Sequence, residues 1–165
     1  MTTAADAALL ARLDSQRQHV LGTVEGLDDE AMARRMLPSG WSLTAMLHHL
    51  ALDDERFWFA GTVAGDPAVV EWVGSGGDGW DVPDSLTGSQ AVDLYVKAID
   101  RSNAILAAAS FDAPPVWWPD DLFGEYRLAT VRDVVLHVLA ETATHAGHLD
   151  AARELIDGRQ WLVFE

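Results

Sequence analysis

Apolar residues recur at intervals of three and four over four long stretches of this chain, the spacing that places them on one face of an α-helix. The first stretch runs from Ala4 to Leu27, where Leu9, Leu13, Val20, Val24 and Leu27 recur with Asp14, Arg17 and Glu25 between them. A short connection carrying Met32, Met36 and Leu37 ends at Pro38-Ser39-Gly40, a strong break. The second stretch opens at Trp41-Ser42, with Ser42 as its N-cap, and continues to about Gly65. Leu43, Met46, Leu47, Leu50, Phe57 and Trp58 form its apolar stripe. The third, from Thr87 to about Ser110, buries Ala91, Leu94, Tyr95, Ala98, Ile99, Ile105 and Leu106 and turns Asp100-Arg101 to water. The fourth spans Thr130 to Gly158, with the stripe Val131, Val134, Val135, Val138, Leu149, Ala152 and Ile156. Thr130 and Asp133 suit a capping box, and Gly158 suits a left-handed stop.

Two irregular connections join these stretches. Asp66 to Ser85 is rich in glycine and predicts a long loop, of the kind that is usually functional or mobile. Its GSGGDGW run has only a superficial likeness to a phosphate-binding loop, lacking both the following Lys-Ser/Thr and a preceding strand. Pro114, Pro115 and Pro119 exclude helix around Trp117 and Trp118. VWW and EYRLA have the composition of short extended pieces. The tail RQWLVFE is expected to fold back on the bundle or on a partner chain. The pattern predicts an all-α four-helix bundle in one domain, residues 1–165, with a long connection between the second and third helices.

Composition narrows the chemistry. With 49% hydrophobic residues among 165, the chain buries a core. No apolar run approaches the roughly 18 residues of a membrane span, and the N-terminus lacks a signal-peptide layout; a cytoplasmic protein is expected. The absence of cysteine removes disulfides, thiolate ligands and a cysteine nucleophile. Any metal must be held by His, Asp or Glu, and any thiol must be brought in. A formal charge of −15 argues against nucleic acid, which leaves a small molecule as the expected partner.

Candidate ligands fall on two helices. On the fourth, Glu141, His145 and His148 follow one another at spacings of four and three and share a flank. His145 falls near the middle of the apolar stripe and Glu141 at its edge, where a carboxylate turned inward costs several kcal/mol unless it is paired or metal-bound. On the second, His48 and His49 point about 100° apart. His49 shares a row with Met46, Asp53 and Phe57 beside the stripe, whereas His48 shares one with Ala45, Leu52 and Glu55 that looks wetter; the bias towards His49 is mild. Two histidines and a carboxylate without thiolate match an open, zinc-type site, and equally other first-row metals such as nickel. A Glu–His pair at i, i+4 also occurs as a plain side-chain contact. His19 reads as a surface residue of the first helix.

These segments also carry a likeness. WSLTAMLHHLALDDERFWF, followed much later by HVLAETATHAGHLDAARELIDG, resembles the DinB/YfiT-like superfamily of metal-binding bundles. Within it the chain is most similar to the subgroup related to the N-terminal domain of mycothiol-dependent maleylpyruvate isomerase. The resemblance implies metal ligands at His49, Glu141 and His145. His148 stands where many relatives carry glutamine and is expected to line the pocket or orient a ligand; His137 reads equally as a partly buried histidine or as a residue supporting a ligand, and Asp53 could orient His49, although in its acidic run it reads slightly better as a solvated carboxylate. Trp72, Trp80, Trp117 and Trp118 are candidates for the pocket walls. The implied activity is a transferase or isomerase using mycothiol or bacillithiol activated on a divalent metal, zinc before nickel. The isomerase has a further C-terminal domain that contributes to its site, so its own reaction is not expected here. Two other readings fit the same residues: a stress-associated metal- or small-molecule-binding bundle without turnover, and a structural homodimer.

Overall fold

The computed structural model describes residues 3–161. Its long helices are α1 (Ala4–Val24), α3 (Leu43–His49) with a π-helical continuation (Leu50–Val63), α5 (Gly88–Ala108) and α7 (Val131–Asp157). Three short helices, α2 (Asp29–Ala33), α4 (Pro67–Gly74) and α6 (Asp120–Phe123), lie in the connections, and no strand occurs among the described residues. The sequence signals for helix ends hold. Thr130 Oγ1 accepts from the Asp133 N–H while the Asp133 carboxylate accepts from the Thr130 N–H, a closed capping box. Ser42 caps α3 through the Ala45 N–H, and α7 stops at Gly158 with φ 79°. The extended pieces expected around VWW and EYRLA are absent; irregular chain and the short α6 take their place. The long loop after the second stretch is partly helical, because Asp66 caps and Pro67 starts α4. The tail returns to the bundle as far as Trp161, whose ring stacks on His19. Residues 162–165 of that tail lie outside the described residues.

α1 packs along α7, and α5 along α3 and its π continuation. The core falls into two hydrophobic clusters. One gathers Val20, Leu43, Leu47, Leu50, Tyr95, Ile99, Ala146 and Leu149. The other gathers Leu13, Phe57, Trp58, Phe59, Leu106, Val134 and Val138. Along each long helix the two sets are separated by polar positions: Arg17 on α1, Asp54 and Glu55 on the π segment, Ser102 on α5, Glu141 and His145 on α7. A polar layer therefore crosses the bundle between two apolar blocks.

Arg17 and Glu55 are the inner half of that layer. The sequence pattern left Arg17 among the polar residues between the apolar positions of its helix and put Glu55 on the wetter row of its own, yet they are 1% and 0% exposed. The guanidinium donates from Nε and Nη2 to both Glu55 oxygens at 2.7 Å and from Nη1 to Asn103 at 2.8 Å. The π geometry explains the misplacement of Glu55. Bonds of the i→i+5 type, such as Ala64 N–H to Phe59 O at 3.0 Å, give each turn roughly one extra residue. A period counted at 3.6 loses phase beyond Leu50, and the acidic run Asp53-Asp54-Glu55 is turned inward. Removing one partner of a buried pair strands the other, so Glu55→Ala should cost about 3–5 kcal/mol in urea unfolding. Arg17→Met/Glu55→Leu, which removes both charges, should cost much less in the same measurement.

Candidate functional site

The outer half of the polar layer is built around two imidazoles. His49 closes the α-helical part of α3 and His145 projects from the middle of α7, and their Nε2 atoms face each other at 3.3 Å. Asp53, one turn after His49, takes the other side of that ring: His49 Nδ1–H donates to Asp53 Oδ2 at 2.8 Å. The bond fixes the His49 tautomer and aims its Nε2 across the gap. The reading of Asp53 as a solvated carboxylate is thereby replaced by an orienting role. Glu141 Oε2 stands 3.8 Å from His145 Nε2, with its side chain 44% exposed. Glu141 is thus at the mouth of the site and not turned into the core. Among the described residues, no three His, Asp or Glu side chains close to metal-ligating distance of one point; the two histidines converge and the carboxylate stands off.

Asp53 also holds the glycine-rich connection. Its two oxygens each accept from the Gly79 N–H at 3.0 Å, and His48 Nδ1–H donates to the Gly79 carbonyl at 2.6 Å. His48 is consequently buried, contrary to its wetter row, and is occupied by the loop and not by the His49–His145 gap. A Cβ on Gly79 would collide with the Asp53 carboxylate, so only glycine allows this approach. The clamp lays the next residue, Trp80, over the His49 ring at a centroid distance of 4.3 Å.

Beside His49 opens a hollow of about 460 Å³. Phe57, Trp58, Trp72, Val73, Leu122 and Phe123 wall it, and His49, Asp53, Asp54, Asp78, His137 and Glu141 reach it. His137 sits edge-on to Trp58 at 4.4 Å, and burial lowers its pKa against the pull of Glu141. Asp54 is 3% exposed and its Oδ2 has no hydrogen-bond partner. Burial first, then the charges of Glu141, Glu55 and Asp53, push its pKa well above the usual carboxylate range. On the other side of Trp80 lies a more polar hollow of about 490 Å³ that includes Trp41, Thr44, Asp81 and Asp84.

The expected residues thus separate. His49, His145 and Asp53 are brought together, Glu141 and His137 border the same hollow, and His148 is exposed, its ring 5.6 Å from that of His145. Trp72 and Trp80 flank the site, whereas Trp117 and Trp118 pack against the aromatic cluster of Phe57, Trp58 and Phe123. Asp54, Gly79, Leu122 and Phe123 were not singled out from the sequence. An acidic run ahead of the FWF triplet was the available signal for Asp54, but only a π turn brings Asp54 and Glu55 both inside. His19, read as a surface residue, is largely covered and bonded through Nε2 to Asp150 at 2.8 Å.

An all-helical bundle of this kind is consistent with the DinB/YfiT-like class. The chain belongs to the mycothiol-S-transferase family of that class, whose match runs over residues 8–158. Comparison with curated proteins finds no match. Membership gives the chain a mycothiol-related, transferase-type function. No helix among the described residues is long and apolar enough to cross a membrane.

Two measurements probe this geometry. Burial, then the neighbouring His49 and His148, lower the His145 pKa from 6.5 to about 4. Between those values the unfolded chain binds the proton and the folded one does not, so stability falls as pH drops from about 6.5 to about 4. In chelator-treated protein, the His145 ring protons in NMR should titrate near pH 4, and His145→Asn should remove that part of the acid sensitivity. Gly79→Ala should cost about 1–3 kcal/mol by overpacking and shift the fluorescence of Trp80 as the clamp opens.

Proposed function

We propose that this protein is a divalent-metal-dependent S-transferase that joins a low-molecular-weight thiol to a small electrophile, with His49, His145 and Glu141 as the metal ligands. The observation that carries the reading is the 3.3 Å approach of two Nε2 atoms from different helices. Two nitrogens bound at about 2.0–2.1 Å in a tetrahedral zinc site lie roughly 3.3–3.4 Å apart. The carboxylate behind His49 is the support that histidine ligands ordinarily have. Glu141 has the reach and, at the mouth, the freedom to complete the set by a change of rotamer. His145 lacks a comparable support: its Nδ1 is buried without a partner. The donor set fits zinc, and nickel by the same criteria.

A bound divalent ion of this kind lowers the pKa of a thiol and so makes thiolate available near neutral pH. The chain's own residues perform the remaining tasks. Asp53 sets the His49 tautomer, and Trp80 covers that ring and limits water on its open face. His137 and Asp54 present proton-exchanging groups to the hollow where the electrophile would lie. A protein with no cysteine needs an external sulfur nucleophile, and the family match supports mycothiol ahead of bacillithiol.

Protein purified without a nickel column should contain about one equivalent of divalent metal by plasma mass spectrometry, as expected for one site. His49→Ala and His145→Ala should lose it with helical circular dichroism intact, and Asp53→Asn should weaken zinc binding about 10–100-fold. Wild-type protein that carries no metal and gains no thermal stability from zinc or nickel would sink the proposal.

A further inference from the structure

The hollow beside His49 has a composition that selects among electrophiles. Its walls are aromatic and aliphatic, contributed by Phe57, Trp58, Trp72 and Phe123 with Val73 and Leu122. Its ionisable groups are four carboxyl residues, Asp53, Asp54, Asp78 and Glu141, and two imidazoles, His49 and His137. No lysine or arginine lines it. The Arg56 guanidinium lies over the Trp72 ring at 5.0 Å but borders a separate hollow on the side of α5. Binding sites for carboxylate or phosphate ordinarily hold at least one such cation, because a bidentate guanidinium or an ammonium compensates the ligand's lost hydration. Here an incoming anion would be stripped of water beside carboxyl groups, and the one cation within reach, the metal proposed at His49, His145 and Glu141, would already have its charge offset by Glu141 and the bound thiolate.

A second observation points to what does bind. Asp54 Oδ2 is buried in this lining and has no hydrogen-bond partner. Buried polar atoms are rarely left so in a native protein, and the usual partner at a pocket wall is a ligand or an ordered water. The hollow therefore combines aromatic and aliphatic walls with several ionisable groups, of which Asp54 is the one that is buried and unpartnered. That is the usual plan of a small-molecule site.

We propose that the electrophile accepted here is an uncharged, largely apolar molecule, aromatic in its best-fitting form and carrying one polar group for Asp54, and that carboxylate-bearing electrophiles are rejected. This inference rests on the reading of the site as a thiol transferase. It also separates the chain from the isomerase that its sequence resembles, whose named substrate, maleylpyruvate, is a carboxylic acid. In the reaction with a chloroarene, the thiolate sulfur bonds to the chlorine-bearing ring carbon and the C–Cl bond breaks. Chloride leaves with its electron pair, and the thiol proton goes to solvent.

The test uses two matched pairs on the zinc-loaded, full-length protein. The unreactive pair, methyl 3-nitrobenzoate and 3-nitrobenzoate, is titrated by calorimetry in the presence of saturating mycothiol, which occupies the open position of the metal. The reactive pair, methyl 4-chloro-3-nitrobenzoate and its free acid, is assayed with mycothiol, each rate divided by its uncatalysed rate. The neutral ester should bind at least about tenfold more tightly, a difference of about 1.4 kcal/mol, and show the larger catalysed ratio. Leu122→Lys places a cation at an exposed rim position and should narrow the gap to about threefold, roughly half that free-energy difference. Phe123→Ala should weaken the ester alone. Equal affinity for ester and acid, tighter binding of the acid, or no measurable binding of the ester overturns the assignment. Selective binding of the ester with no conjugation of either chloroarene upholds the ligand class and overturns the transferase reading instead.

Discussion

The Arg17–Glu55 pair is the constraint on which the site depends. It neutralises a carboxylate at the centre of the bundle and ties α1 to the helix that carries His49. With Glu55 held on the inner side, the preceding residues Asp53 and Asp54 are turned the other way, towards α7 and the glycine-rich connection. A carboxylate so deeply buried would be intolerable without its guanidinium. With it, the layer can hold three consecutive acidic residues in three different states. Glu55 is ion-paired, Asp54 is shifted towards its neutral form, and Asp53 is hydrogen-bonded to an imidazole and a backbone amide.

The π-helical continuation of α3 makes this division geometrically accessible. In an α-helix, Asp53, Asp54 and Glu55 would sweep through most of a turn and at least one would face solvent on the convex side. The wider turn brings an almost unbroken run, Phe57 to Val63, into the core. It also begins at the residue after His49. Irregular helical hydrogen bonding of this type is frequent at functional sites, and here its role is specific: it sends one acidic neighbour to the core and two to the site.

How far the sequence revealed this depended on which period governed each helix. On α7, which is α-helical throughout, the stripe from Val131 to Ala152, both caps and the flank shared by Glu141 and His145 were legible. That His49 and not His48 faces His145 has a reason the periodicity did not contain. His48 is the more buried of the two, and what removes it from the site is its bond to Gly79, a contact 31 residues away. Glu55 was misplaced because the period changes at Leu50, and the burial of Arg17 was not foreseen because a buried ion pair leaves no mark in either partner's local pattern. The glycine-rich connection looked like a phosphate loop with parts missing. Its glycine serves close approach to Asp53, and that requirement belongs to a tertiary contact.

The complete absence of cysteine, which restricts the ligands, has another consequence for the proposed reaction. Reactive carbon electrophiles alkylate protein thiols indiscriminately, and an enzyme with an accessible cysteine would be consumed by such substrates. This chain has no thiol of its own to lose. Peroxide and disulfide stress have no thiol here to act upon either. In the proposed reaction the reactive sulfur would be renewed with every cosubstrate molecule, so the wear of the chemistry would fall on a replaceable small molecule.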